Sequence, residues 1–240
     1  MTKNITVYWA CTEDEWVQAV EPEKVASRFH TKGIISNDLL SPMAINYCPA
    51  FNKSMQNVYA IKSIYDYSFT IKDGQVVSNY YDQKFFDNHV IIRSVEKKLF
   101  SFLNRYIFFT EEDSLDITAT EHAVYEQNNI SRRCMPVTGT YNIGKWFRPI
   151  DFAFILRDEY NSFDVQANDV LYYLRIHTDA KIIFKQFVYT ENIKNLYNST
   201  NVANSRRPMQ KINIPKSLEE FYNLFRHKKY LLGEIKKNLL

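Results

Sequence analysis

The feature that most constrains the fold of this chain is a stretch of alternating polar and apolar residues between positions 136 and 187. Side chains alternate in this way when a β-strand has one face in a core and the other in water. The alternation recurs in short blocks at residues 152–156, 163–165, 171–176 and 182–187. The centre of the chain is therefore predicted to be β-sheet.

The aromatic content supports the same prediction. The chain has 17 Tyr and 17 Phe but only 5 Gly, and aromatic side chains favour half-buried, pleated surfaces. Many of the tyrosines are expected at a sheet surface or an interface. We predict a mainly β fold, an antiparallel β-sandwich of jelly-roll or β-clip character with a C-terminal amphipathic helix. Residues 1–187 form the predicted β-rich domain, and residues 188–240 a polar excursion and a helix packed on it.

The clearest local element is a hairpin. Residues 67–71 and 75–78 are predicted strands around Asp73-Gly74, because this dipeptide supplies the positive φ that a tight hairpin turn requires. Other segments are assigned less specifically, with strands at 2–9, 58–64 and 103–109, and a strand or a short helix within 79–101.

Residues 217–240 are predicted to form a capped helix. Ser217-Leu218-Glu219-Glu220 has the pattern of a capping box. Such a helix packs against the protein's own sheet or, in the alternative, docks a partner or a second copy. The apolar stripe that would make the contact consists of Leu218, Phe221, Phe225, Leu232, Ile235 and Leu239.

Charge and cysteine content narrow the possible functions. A formal net charge of +3 does not indicate nucleic-acid binding, since phosphate-binding surfaces are more strongly and locally basic. Cys11, Cys48 and Cys134 are widely separated, which is typical of isolated thiols in a reducing compartment. The sequence shows neither a signal peptide nor an apolar window of membrane-spanning length, so we expect cytosolic synthesis and no membrane partner.

One candidate metal site follows from motif spacing. His177-Thr178-Asp179 is an H-x-D motif, and His227 follows later in the chain. This is the ligand order of non-haem iron oxygenases of the 2-oxoglutarate type, in which two His and a carboxylate leave positions open for oxygen and cosubstrate. His227, however, falls within the predicted helix, and Thr178-Asp179 fits a turn between two strands. We therefore predict no metal and no other cofactor.

Other catalytic patterns give no better candidate. The sequence contains no G-x-S-x-G elbow, no P-loop and no G-x-G-x-x-G. The carboxylates between residues 111 and 116 are interpreted as a solvated loop.

The most distinctive local cluster is Lys145-Trp146-Phe147-Arg148-Pro149. An exposed Trp146 beside Arg148 would stack a base, a sugar or another aromatic ring. In the alternative, Trp146 packs at the sheet edge while Arg148 binds a loop carbonyl or pairs with Asp151. Trp146 and Arg148 are thus the candidate binding residues.

Residues 139–176 are similar in their order of features to the closing half of the dUTPase and dCTP-deaminase β-clip. Both have a glycine turn, an aromatic-bearing turn, two alternating strands, and a further turn and strand. In that family the aromatic motif carries a catalytic aspartate and a sugar-stacking tyrosine. Asn142 stands roughly where the aspartate would be, and Asn168-Asp169 replaces a glycine. The resemblance therefore implies strand order and no catalysis.

Four segments resemble proteins of tailed bacteriophages, especially those of marine cyanobacteria: VYW at 7–9, CPAF at 48–51, YSFTIKDG at 67–74 and WFRPIDF at 146–152. The resemblance implies a phage origin and a place in the host cytoplasm or the virion. The predicted function is that of a non-enzymatic phage protein, virion-associated or host-interacting, which binds a protein partner or itself through an aromatic-rich β surface. The alternative is an enzyme on the same scaffold, either a non-haem iron oxygenase or a divergent nucleotide hydrolase.

Overall fold

A computed structural model shows a mainly β protein, with 44% of the described residues in strands and 22% in helices. The predicted fold class is confirmed, since several antiparallel sheets pack in a sandwich-like arrangement and a helix lies near the C-terminus. The structure describes residues 3–12, 20–25, 48–103, 105–120, 129–205 and 228–240, with residues 120 and 199–205 described by backbone only.

The strands of the described residues are, in chain order, β1 (Asn4–Cys11), β2 (Glu23–Lys24), β3 (Val58–Lys62), β4 (Tyr67–Lys72), β5 (Gln75–Ser78), β6 (Val90–Ser94), β7 (Leu99–Phe102), β8 (Tyr106–Thr110), β9 (Asp116–Thr120), β10 (Cys134–Val137), β11 (Thr140–Asn142), β12 (Phe152–Leu156), β13 (Ser162–Val165), β14 (Val170–Ile176) and β15 (Lys181–Gln186). The helices are α1 (Pro49–Ser54), α2 (Gln83–His89), α3 (Asn129–Arg133), α4 (Glu191–Ser205) and α5 (Lys228–Lys237).

These strands form four sheets. Sheet A has the order β15-β1-β8, and sheet B has the order β11-β9-β14-β3-β2. Sheet C has the order β13-β4-β5, and sheet D has the order β10-β12-β7-β6. All strand pairs are antiparallel except β1 and β15, which run parallel.

The predicted hairpin is confirmed. β4 pairs with β5, and Asp73 and Gly74 between them have φ values of 51° and 73°. Positive φ at both central residues is the requirement of this turn. The strands predicted at 2–9, 58–64 and 103–109 correspond to β1, β3 and β8, with ends shifted by a few residues. The ambiguous segment 79–101 contains both alternatives, since α2 leads directly into β6.

Aromatic rings fill the main core. Phe69 of β4 lies 5.0 Å from Phe100 of β7 and 5.4 Å from Phe163 of β13, measured between ring centroids. The Phe100 ring also lies 5.4 Å from Phe163, so Phe100 joins sheet D to two strands of sheet C through rings that are almost wholly buried. Several tyrosines expected at a surface are buried too, among them Tyr67 and Tyr172. Many of the aromatic side chains therefore lie in the core and not at a surface.

Two helices, α4 and α5, pack against sheet A. Ile193 of α4 and Leu231 and Ile235 of α5 are fully buried in one cluster with Tyr8 and Phe187. The segment predicted as a polar excursion thus contributes Ile193 to a core. None of the described helices is both long and apolar enough to cross a membrane.

The predicted C-terminal stripe needs a correction. Ser217, Leu218, Phe221 and Phe225 lie outside the described residues. Within α5, Ile235 is buried as predicted, but Leu232 is only half-buried, whereas Leu231, which the stripe omits, is fully buried. α5 packs against both sheet A and α4. Its buried face is therefore wider than the predicted stripe and is centred on Leu231 and Ile235.

The turn predicted at Thr178 and Asp179 does connect β14 to β15, but the two strands do not form a hairpin. β14 lies inside sheet B, whereas β15 is an edge strand of sheet A. The Asn57 side chain fixes the crossing, because its amide donates to the carbonyls of Thr178 at 2.6 Å and Ala180 at 2.9 Å. The chain thus passes from an inner strand of sheet B to an edge strand of sheet A.

Candidate functional site

Trp146 lies in the turn between β11 and β12. Its backbone N–H donates to the carbonyl of Asn142 at 2.8 Å, which closes the turn. The half-buried indole meets Tyr141 edge to face at 6.0 Å, and the Tyr141 hydroxyl donates to the carbonyl of Asp151 at 2.9 Å. The ring therefore packs at the sheet edge and keeps part of its surface accessible. Binding by Trp146 stays a prediction.

Arg148 pairs with Asp151, at 3.9 Å between Nη2 and Oδ2. Burial raises the pKa of the Asp151 carboxyl, while the nearby guanidinium groups of Arg148, Arg93 and Arg105 act in the opposite direction. This pairing with Asp151 is the predicted alternative to ligand binding by Arg148. A ligand at Arg148 would have to compete with that carboxylate, and binding by Arg148 also stays a prediction.

His177 and Asp179 lie in the exposed turn after β14. The Nε2 atom of His177 is 2.7 Å from the hydroxyl of Thr118 on β9. The carbonyl of Asp179 accepts a hydrogen bond from the Gln56 side chain at 3.4 Å. His227 falls outside the described residues, and within those residues no three His, Cys, Asp or Glu side chains group as metal ligands. The metal hypothesis therefore stays an alternative.

The acidic loop after β8 anchors α5. Glu111 accepts a hydrogen bond from the Tyr8 hydroxyl at 2.6 Å and pairs with Lys236 at 2.9 Å. Glu112 pairs with Lys3 at 2.8 Å, and its carbonyl accepts from Lys228 at 2.6 Å. The hydrogen bonds from Tyr8 and then Lys236 lower the pKa of Glu111. The loop interpreted as merely solvated thus ties α5 to sheet A.

An open groove of about 740 Å³ lies between two sheet edges, a feature that the sequence did not reveal. One wall is β15 at the edge of sheet A, and the other is β2 with Glu21 and Pro22 at the edge of sheet B. Tyr59 and Phe184 line it and meet edge to face at 4.8 Å. Burial raises the pKa of Tyr59 to about 12, so its hydroxyl stays protonated at neutral pH.

Successive residues of β15 direct their backbone N–H and C=O groups alternately toward β1 and toward the groove. Lys181 donates its N–H to the carbonyl of Lys3, and Phe187 donates to that of Trp9, both at 3.0 Å, so the odd-numbered residues pair with β1. The backbone N–H and C=O groups of the even-numbered residues point to the opposite side of the strand. The backbone N–H and C=O of Ile182 and Phe184 therefore face away from β1, and the described residues supply no hydrogen-bond partner on that side.

The next part of the same edge already carries a strand-like segment. Leu240 donates its N–H to the carbonyl of Gln186 at 3.0 Å, and Val188 donates to Asn238 at 2.9 Å. Phe187 and Leu239 form an antiparallel bridge there. Earlier in β15, at the level of Ile182 and Phe184, no described residue pairs with this edge. The edge is therefore suited to pairing with extended chain.

Sequence reasoning placed a strand at 182–187 but did not recognise it as an edge. One signal was present, because Lys181 and Lys185 flank the apolar run 182–184, and charged side chains are frequent on edge strands. In comparisons with family models, curated proteins and solved structures, the chain has no match. The resemblances to phage proteins and to the β-clip therefore stay predictions.

Proposed function

We propose that this protein is a non-enzymatic binding protein that takes up an extended segment of a protein partner as an added strand on β15. The observation that carries the proposal is the open backbone at Ile182 and Phe184 beside an aromatic-lined groove. In strand addition, main-chain hydrogen bonds supply affinity and pockets for alternate side chains supply specificity. The groove offers both, since alternate partner side chains would contact Tyr59 and Phe184.

The dimensions suit this role. The volume of about 740 Å³ is comparable to the roughly 300–1,000 Å³ of small-molecule pockets, so the groove has room for a few side chains of a bound segment. A strand advances about 3.3 Å per residue, so the run from Lys181 to Lys185 accommodates a short extended segment. Such a segment would continue along the edge that Asn238 and Leu240 already occupy.

The setting we propose is that of a phage protein in the host cytoplasm or the virion, with a host or virion protein as partner. The sequence resemblance at residues 7–9, 48–51, 67–74 and 146–152 is the support for that setting. The aromatic-rich β surface of the sequence prediction corresponds, in this proposal, to the groove at Tyr59 and Phe184.

The proposal is tested by selecting binders from a displayed library of random peptides and mapping them by amide hydrogen exchange. In the free protein, the amides of Ile182 and Phe184 should exchange fast, whereas those of Ile183 and Lys185, which pair with β1, should exchange slowly. A bound peptide should slow exchange at Ile182 and Phe184. Peptides that bind without protecting these two amides, or a library that yields no binder, would contradict strand addition.

A proline variant provides the matched test. Ile182→Pro removes the N–H that faces the groove and leaves the pairing of the odd-numbered residues with β1, a position at which edge strands tolerate proline. Ile182→Val trims the same buried side chain but keeps the N–H. We expect Ile182→Pro to abolish binding and Ile182→Val to retain it, with circular dichroism verifying that both variants fold. Equal binding by the two variants would count against a backbone contact.

A further inference from the structure

The two lysines on the open part of β15 define the chemistry of the partner. Lys181, Ile183 and Lys185 are exposed on one face of the strand, whereas Ile182 and Phe184 turn to the core side. Neither lysine has a salt-bridge partner among the described residues. Lys185 attracts Glu111 only weakly, since the direct ion pair of Glu111 is with Lys236 at 2.9 Å. Two cations therefore stand four positions apart on an edge beside which the described part of the chain places no strand.

We infer that the partner segment carries acidic residues opposite Lys181 and Lys185 and apolar residues opposite Ile182 and Phe184, an inference that rests on the proposed strand addition. Directly opposed residues of paired strands lie on the same face, about 4.5–5.5 Å apart at Cβ. Carboxylates at the first and last of five partner positions would thus meet the two ammonium groups. Apolar side chains at the second and fourth positions would cover Tyr59 and Phe184.

A second copy of the chain fits the backbone but not the charges. An antiparallel pair centred on Ile183 would bond Ile182 of one copy to Phe184 of the other and complete the hydrogen bonds of both edges. The same register would set Lys181 of each copy opposite Lys185 of its mate. Like charges directly opposed destabilise a strand pair, and lysine on an edge strand is a common protection against self-pairing. The edge therefore selects an acidic partner over another copy.

The remaining charges of the groove do not reverse this selection. Glu21 and Lys24 stand on the opposite wall, and Asp179 lies in the turn before the strand. None of these three residues belongs to β15. An added strand therefore pairs with Lys181 and Lys185 and meets the other three charges only at its margins.

Three capped synthetic peptides test the inference against the full chain. Their central residues are Glu-Val-Thr-Val-Glu, Gln-Val-Thr-Val-Gln and Lys-Val-Thr-Val-Lys, which read the same in both directions and so assume no strand orientation. Two cross-strand ion pairs correspond to an affinity ratio of about 2- to 30-fold at low salt. We expect the acidic peptide to bind tighter than the neutral one by that factor, the basic peptide to bind weakest, and the difference to shrink as salt is added.

A charge-swap variant provides the control. Lys181→Glu combined with Lys185→Glu should reverse the order of the acidic and basic peptides. Lys72→Glu combined with Lys84→Glu makes the same change in net charge at exposed positions away from the groove, and should leave the order unchanged. If both double variants change the order of the peptides equally, the preference for the acidic peptide comes from the net charge of the protein and not from Lys181 and Lys185. That result would overturn the inference.

Hydrogen exchange distinguishes a failure of strand addition from a failure of the acidic-partner inference. If all three peptides protect Ile182 and Phe184 with equal affinity, strand addition stands and the acidic partner is wrong. If the peptides bind but neither amide is protected, or if none binds, both the proposed function and the inference fail. Self-association of the wild-type chain in sedimentation velocity, with Ile182 and Phe184 protected at high concentration, would identify a second copy as the occupant and overturn the acidic partner.

Discussion

The hydroxyl of Tyr8 on β1 donates a 2.6 Å hydrogen bond to the carboxylate of Glu111, which also pairs with Lys236 on α5. One carboxylate thus joins the sheet that carries the open edge to the helix beside it. Burial and this carboxylate raise the pKa of Tyr8, while the two hydrogen bonds lower that of Glu111. Glu111 is therefore held ionised.

Glu111→Gln should lower the free energy of unfolding by about 0.5–1.5 kcal/mol at pH 7, the net scale of one typical hydrogen bond, because solvent screens the half-exposed carboxylate. The pKa of Glu111 is lower in the folded than in the unfolded state, so its contribution is complete above the unfolded value, near 4.3. The contribution disappears as pH falls through the lower folded value. Urea unfolding at several pH values should show wild type and variant converging in acid.

Glu159→Gln is the control for this pH dependence, because Glu159 is exposed in the loop after β12. Its effect should stay within about 0.5 kcal/mol at pH 7. A gap between wild type and Glu111→Gln that widens in acid would show that the sign of the Glu111 pKa shift is wrong.

Leu231→Ala should cost about 2–5 kcal/mol, because the side chain is fully buried against sheet A. Leu232→Ala removes the same atoms from a half-buried position and should cost clearly less. Chemical denaturation of the two variants compares the observed packing of α5 with the heptad stripe predicted from sequence. A larger loss at Leu232 would favour the predicted stripe.

Gly144→Ala should destabilise the turn that carries Trp146. A Cβ at position 144 would overlap the backbone carbonyl of Glu112 and lie 3.1 Å from that of Asp113. Overpacking of this kind typically costs about 1–3 kcal/mol. Gly139→Ala is the matched control, since its Cβ would make an ordinary 3.6 Å contact with the Tyr141 ring. Thermal melts should separate the two variants, and equal melting temperatures would show that the loop yields to the added methyl group.

Purified protein should contain far less than one equivalent of iron or zinc. His177 directs Nε2 to the Thr118 hydroxyl at 2.7 Å, an interaction that a metal at Nε2 would displace. Elemental analysis of wild type and His177→Ala should give the same low values. One equivalent of iron that is lost in His177→Ala would instead support the oxygenase alternative with His177, Asp179 and His227 as ligands.

Local chemistry made several elements predictable. The Asp73-Gly74 turn needs positive φ at adjacent residues, and the structure has it there. The alternation at residues 152–156 buries Phe152, Phe154 and Leu156 in the core, as a period of two requires. Such features depend on residues close together in sequence, so the sequence alone determined the mainly β class and the hairpin.

The tertiary structure decided which strands became neighbours. Nothing within residues 181–186 specifies pairing with β1, which lies at the other end of the chain. The sheet change after β14 depends on Asn57, whose amide bonds the carbonyls of Thr178 and Ala180. The burial of Leu231 similarly depends on sheet A and α4 packing against α5.

The candidate site shows the same division. The sequence determined that β15 is a strand with lysines flanking an apolar run, because side-chain alternation is a local property. Only the tertiary structure decided that Ile182 and Phe184 present their backbone to a groove. Which strand lies beside an edge, and on which side, follows from contacts between distant segments, and a periodic pattern in one segment does not encode those contacts.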